Sequence, residues 1–161
     1  MEIRRSVEEQ LTEIQEILAV AESKYKQGLN EPDLEAIDYF KEAVDMVPDY
    51  DQAWNAMGLS YKRLSLFDKA IDCFKKATDN DQGKIEAYIN LAETYVQKGD
   101  YMTSLYTYSL ALADDPLNIR AMLGTATIFK STERYTAAAQ CYEKILDALN
   151  ITDLEKGKDA K

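Results

Sequence analysis

The feature that most constrains this chain is self-similarity at a fixed lag of about 34 residues. Phe40, Phe74, Tyr108 and Tyr142 are aromatic at one fixed phase. Ala36, Ala70, Ser104 and Ala138 are small at another, and Ala43, Ala77, Ala111 and Ile145 follow a third. Tyr61, Tyr95 and Phe129, then Phe67, Tyr101 and Tyr135, then Trp54, Tyr88 and Met122, and Gly58, Ala92 and Ala126 run in register with them, and Pro48 and Pro116 stand two periods apart. A period of this length marks a chain built of repeated supersecondary units that bury their apolar faces on one another.

Within one period the spacing is helical. Trp54, Met57, Gly58 and Tyr61 lie three, one and three residues apart, and Ala70, Phe74 and Ala77 lie four and three apart. Each set occupies one face of a helix. Small residues at Gly58 and Ala70 let two helices approach, and the aromatics fill the space beside that contact. Leu64–Asp68 and Gln97–Asp100 read as the intervening turns, with Gly99 suited to the left-handed residue that ends a helix. Pro116 ends the second helix of its unit.

Composition narrows the chemistry. The 161 residues carry 29 acidic and 19 basic side chains, a net charge of −10, and no histidine. A chain this acidic repels phosphate backbones, so no nucleic-acid partner is expected. Without histidine the commonest general base and metal ligand are missing. No phosphate-binding loop and no dinucleotide fingerprint occurs. The stretch Asp79–Ile85 imitates a calcium loop, but its glycine falls one position early and Asn90 stands where the closing Glu belongs. No enzyme activity, metal or cofactor is therefore expected. Cys73 and Cys141, two periods apart, form no metal spacing and no expected disulfide, which suits a reducing, cytoplasmic setting. No apolar run of membrane-spanning length exists, and the N-terminus runs into charge rather than a secretory signal.

These skeletons resemble the tetratricopeptide repeat, a helix-turn-helix unit with a Trp-Leu-Gly-Tyr, Ala, Phe, Ala, Pro pattern. Residues 51–84 carry Trp54, Met57, Gly58, Tyr61, Ala70, Phe74 and Ala77, with Gln82 in place of the Pro. Residues 85–118 carry Tyr88, Leu91, Ala92, Tyr95, Ser104, Tyr108, Ala111 and Pro116. Units 119–152 and 14–50 match less fully, the latter with a turn, Gly28–Asp33, about three residues longer than the others. The resemblance implies an all-α fold, a right-handed superhelical solenoid of about four helix-turn-helix units over residues 1–152, followed by a polar tail at 153–161.

The resemblance also implies a concave groove lined by the first helix of each unit. Carried over unit by unit, its residues include Leu18, Asn55, Leu59, Lys62, Ile89, Asn90, Val96, Arg120, Leu123 and Lys130. Leu18, Leu59, Ile89, Val96 and Leu123 are apolar where the repeat core needs nothing, and Asn55 and Asn90 suit a peptide backbone. Lys62, Arg120 and Lys130 suit a carboxylate. The set used by co-chaperones of the family to clamp a double-carboxylate terminus is matched only at Asn90 and Arg120, so that clamp is not expected. The expected function is a protein-interaction module, a scaffold or chaperone-like adaptor that binds a peptide or helix of a partner. The alternatives are a self-assembling oligomer that uses an uncapped edge at Tyr142, Ile145, Leu146 and Leu149, or a regulatory repeat domain of a larger protein.

Overall fold

The computed structural model describes residues 7–79 and 83–156, and side chains within 7–149 except that of Glu8. Among the described residues there are eight helices and no strand: α1 (Val7–Gly28), α2 (Asp33–Met46), α3 (Asp51–Arg63), α4 (Phe67–Ala77), α5 (Lys84–Lys98), α6 (Tyr101–Asp114), α7 (Ile119–Ser131) and α8 (Tyr135–Lys156). Asn80, Asp81 and Gln82 of the calcium-like stretch lie outside them, as do residues 157–161 of the expected tail. Successive helices pair as antiparallel hairpins. The chain divides into two compact units between Gly83 and Lys84.

In the first unit α1 packs on α2, α2 on α3 and α3 on α4. Its core joins Ile37, Phe40 and Val44 of α2 to Ala53, Ala56 and Met57 of α3, with Tyr25, Tyr50, Trp54 and Tyr61 closing the sides. In the second unit α5 packs on α6 and α7 on α8, and α7 also meets α5 and α6. Ile89, Ala92, Tyr108, Ala111, Ala121 and Ile128 form its core.

The periodic series become contacts. A Cβ added to Gly58 would lie 2.6 Å from Cε1 of Phe74, and one added to Gly28 would lie 2.6 Å from Cε1 of Phe40. Each ring is therefore seated on bare backbone of the opposite helix. Where the third period replaces glycine with Ala92, the aromatic is the longer Tyr108. Its phenol end rests instead against Gly124 of α7, where any Cβ would collide with the ring. Ser104 occupies the small position of that hairpin fully buried, and its hydroxyl donates to the Ala92 carbonyl at 2.8 Å. A buried hydroxyl costs little when it finds such a partner.

The turns repeat as well. Leu66 N donates to Tyr61 O, Asp100 N to Tyr95 O, and Arg134 N to Phe129 O, all at 2.8–2.9 Å. These are the six-to-one bonds of a Schellman ending. The residue before each donor, Ser65, Gly99 or Glu133, has the positive φ of the left-handed region. The sequence signalled this conformation only at Gly99. Asp100 and Asn118 then cap α6 and α7, their side chains accepting from Thr103 N and Ala121 N, each at 3.1 Å. Trp54 Nε1 donates to the Pro48 carbonyl at 2.7 Å and pins the turn between α2 and α3.

Two expectations change. The turn of the first hairpin, residues 29–32, is longer than the others by one or two residues and not by about three. Gly28 seats Phe40 as Gly58 seats Phe74, yet the stretch from glycine to ring is shorter in the first hairpin. The difference is about one helical turn. By this register Ala21 is the counterpart of Asp51, so residues 7–20 of α1 extend beyond anything in α3. At the other end α8 continues to Lys156, four residues into the segment expected as tail, because no glycine or proline interrupts it before Gly157.

Gly58→Ala is expected to cost about 1–3 kcal/mol by overpacking against Phe74, and Phe74→Leu in the same chain to recover part of that loss; urea unfolding of the double-mutant cycle measures both. Glu133→Gly removes left-handed strain and is expected to raise stability by about 0.5–1 kcal/mol, read as a higher midpoint in thermal unfolding.

Candidate binding surface

On α3, Gln52, Asn55, Leu59 and Lys62 fall on one helical face, with Asn55, Leu59 and Lys62 half-buried and Gln52 exposed. Gln52 also lines an open cleft of about 310 Å³ with Leu18, Ala21, Glu22, Val47, Asp49 and Tyr50. Leu18 thus reaches this surface from the α1 extension, beside the α2–α3 turn, and not from the helix position that the repeat pattern assigned to it. Tyr25 of α1 is wedged between Phe40 and Tyr50, with ring centroids 5.9 and 5.3 Å away.

In the second unit the expected groove positions of α5 and α7 converge on one guanidinium. Arg120 Nε donates to Glu93 Oε1 at 2.9 Å, Nη1 to Glu86 Oε1 at 2.5 Å, and Nη2 to Asn90 Oδ1 at 2.9 Å. Burial works against the charged form of Arg120, but the carboxylates of Glu86 and Glu93 outweigh it and hold the guanidinium more firmly protonated than usual. Asn90 is completely buried at 0% exposure, which removes it from the residues available to a peptide backbone. Arg120 is likewise already engaged by two carboxylates, so the reading of it as a free anchor for a ligand carboxylate is corrected. Ile89 is also corrected: at 1% exposure it belongs to the core that α5 shares with α6 and α7.

The rest of this face is accessible. Leu123 is exposed beside Arg120 on α7, Thr127 and Lys130 continue the same side, and Val96 is half-buried against the core. Below them the Tyr108 phenol is pushed up to about 12 by burial first and by Glu93 second, with Arg120 opposing. It stays protonated at any physiological pH. Gly124, on the same helix, is taken up by the Tyr108 ring.

Of the expected edge on α8, Tyr142, Leu146 and Leu149 are exposed, whereas Ile145 is buried, as Ala43, Ala77 and Ala111 are at the equivalent positions. Ile145 faces inward with its series, so it is no part of that edge. Both cysteines are free, and no helix of the described residues is long and apolar enough to cross a membrane.

Paired helices that repeat one seating contact and leave polar and apolar side chains along their first helices define a helical-repeat scaffold for protein contacts. Two tetratricopeptide-repeat profiles match, one at residues 51–83 and one at 73–106, so this stretch is of tetratricopeptide-repeat type. Its curated relatives include FK506-binding protein 5 of Rhizopus delemar, 41% identical over 49 residues, or 30% of this chain and 13% of that protein. Another is the chloroplastic tetratricopeptide repeat domain-containing protein PYG7 of Arabidopsis thaliana, 34% identical over 70 residues, or 44% and 23% of the two chains. The chain thus spans less than a quarter of the length of either relative. Among solved structures, a crystal structure of MamA aligns with TM-score 0.76 at 20% identity over 83% of this chain and 80% of that one. A second MamA crystal structure gives 0.73 at 20% identity over 88% and 77%. These likenesses show the all-α, solenoid-type repeat fold.

Arg120→Gln leaves the buried Asn90 oxygen without its guanidinium donor and is expected to cost about 1–3 kcal/mol, most of it from the amide, since the two carboxylates are partly solvated. Arg120→Lys is expected to recover little, because one ammonium cannot serve three partners. Urea unfolding of the three proteins checks both statements.

Proposed function

We propose that the chain is a protein-binding scaffold whose first-helix surfaces hold a partner segment by apolar anchors. The observation that carries this reading is the surface of α3, where half-buried Leu59, flanked by Asn55 and Lys62, shares a helical face with Gln52, which lines the cleft formed with Leu18, Glu22 and Tyr50. An isolated exposed leucine is ordinary on a protein surface; one on a helical face that also lines a cleft, with polar side chains on both sides, suits a bound peptide. In the second unit Leu123, Val96 and Lys130 supply a comparable surface around the Arg120 cluster.

The electrostatics favour a particular class of ligand. Glu86, Glu93 and Arg120 together carry one net negative charge, so this patch gives no advantage to an acidic group. An apolar segment with neutral or basic flanks suits it better than a carboxylate terminus. The role as a scaffold or adaptor, and the assignment of residues 1–152 to one repeat domain, form part of this proposal.

Leu59→Arg and Leu123→Arg each leave the cores untouched and place a charge on the proposed anchors. With either variant as bait, partner capture from source lysate is expected to fall, while thermal unfolding stays as in the parent chain. Capture unchanged by both variants would remove the site. A captured peptide synthesised with a free carboxylate or an amide at its C-terminus is expected to bind equally well, within about twofold by calorimetry.

A further inference from the structure

We propose that copies of this chain associate head to tail, the α1 extension of one copy lying along the exposed face of α8 of the next. This does not depend on the binding surface described above. It starts from the register of α8. Ala139, Tyr142 and Leu146 stand three periods after Ile37, Phe40 and Val44. On α2 those three residues are buried in the core that α3 completes. On α6 the same phases are Leu105, Tyr108 and Leu112, packed into the core that includes Ala121 and Ile128 of α7. The second helix of a hairpin therefore presents this face to the first helix of a following hairpin. On α8 the face is exposed, and Tyr135, Ala139, Tyr142, Leu146 and Leu149 form a stripe at spacings of four, three, four and three residues.

The first helix that fits it is α1. Val7, Leu11, Ile14 and Leu18 are exposed at spacings of four, three and four, the pattern of a helix that packs along another helix. They lie on the extension that has no counterpart in α3. The stripe spans about 16 Å against about 21 Å on α8, so the two match in length. Charge placement favours a second copy as occupant. A chain of net charge −10 repels itself, yet the α1 stripe is flanked by Gln10, Gln15 and Ile17, while Glu9, Glu13 and Glu16 point to the opposite side. Of the carboxylates along this stretch only Glu8 stands by position at a margin of the stripe, so the acidic surface of α1 is largely kept off the seam. One α1 face and one α8 face per chain make a heterologous contact, which propagates beyond a dimer.

Sedimentation velocity on the 161-residue chain and two variants tests this at moderate salt, where self-repulsion is screened. The parent mass is expected to rise above 18.3 kDa with concentration and to pass the dimer. Leu11→Glu/Ile14→Glu and Tyr142→Glu/Leu146→Glu, all at exposed positions, are each expected to remain monomeric. Mixed in equal amounts they are expected to form a dimer and nothing larger, because each then supplies the one face its partner lacks. A monomeric parent overturns the proposal, as does a mixture that stays monomeric. So does an α8 variant that still dimerises, since that would mean α1 pairing with itself or with an unrelated surface. Should either glutamate variant lose its helical circular dichroism, Leu11→Ala and Leu146→Ala each test the same seam, with association expected to weaken about tenfold.

Discussion

The structure depends on one contact: an aromatic ring of a second helix pressed onto the backbone of the first where a side chain is missing. Phe74 on Gly58 and Phe40 on Gly28 meet with nearly the same geometry. The contact fixes how close the helices come and which residue of one lies opposite which residue of the other. Once that register is set, the small positions Ala36 and Ala70 fall into place, and the remaining aromatics pack at the margins. The period in the sequence carries the imprint of this contact, which the first two hairpins repeat and the later ones modify.

Where the contact varies, the surroundings vary with it. Ala92 in place of glycine sends the Tyr108 ring toward α7, and Gly124 is what lets it arrive there. The ring thereby links two hairpins of the second unit, and Glu93 and Arg120 stand near its polar end. A residue that serves the surface in the repeat pattern has become part of the packing. This is why the second unit presents less open binding surface than its sequence suggests.

The hairpins, their order and most of their cores were legible from the lag alone, because periodicity reports burial directly. Three things were not. The missing turn in the first hairpin was hidden because Ala21, Tyr25 and Gly28 offer two plausible alignments to the repeat, and only the seat of Phe40 decides between them. The burial of Asn90 was hidden because its partner, Arg120, comes from another helix well along the chain and looks like an open cation in isolation. The left-handed conformations of Ser65 and Glu133 carried no signal in residue type, since the turn imposes them through the hydrogen bonds around it. Local pattern reveals which face of a helix is covered; it does not reveal which polar side chains satisfy one another across helices.

The burial of Cys73 on α4 has a practical consequence. Burial first, and Asp72 second, push its thiol up to about 12, so it carries almost no thiolate at neutral pH and reacts slowly. Cys141, on α8, is half-buried. The molecule therefore contains its own clock for local opening: the rate at which an alkylating reagent consumes the slower thiol reports how often the α3–α4 hairpin separates, without any label having been introduced.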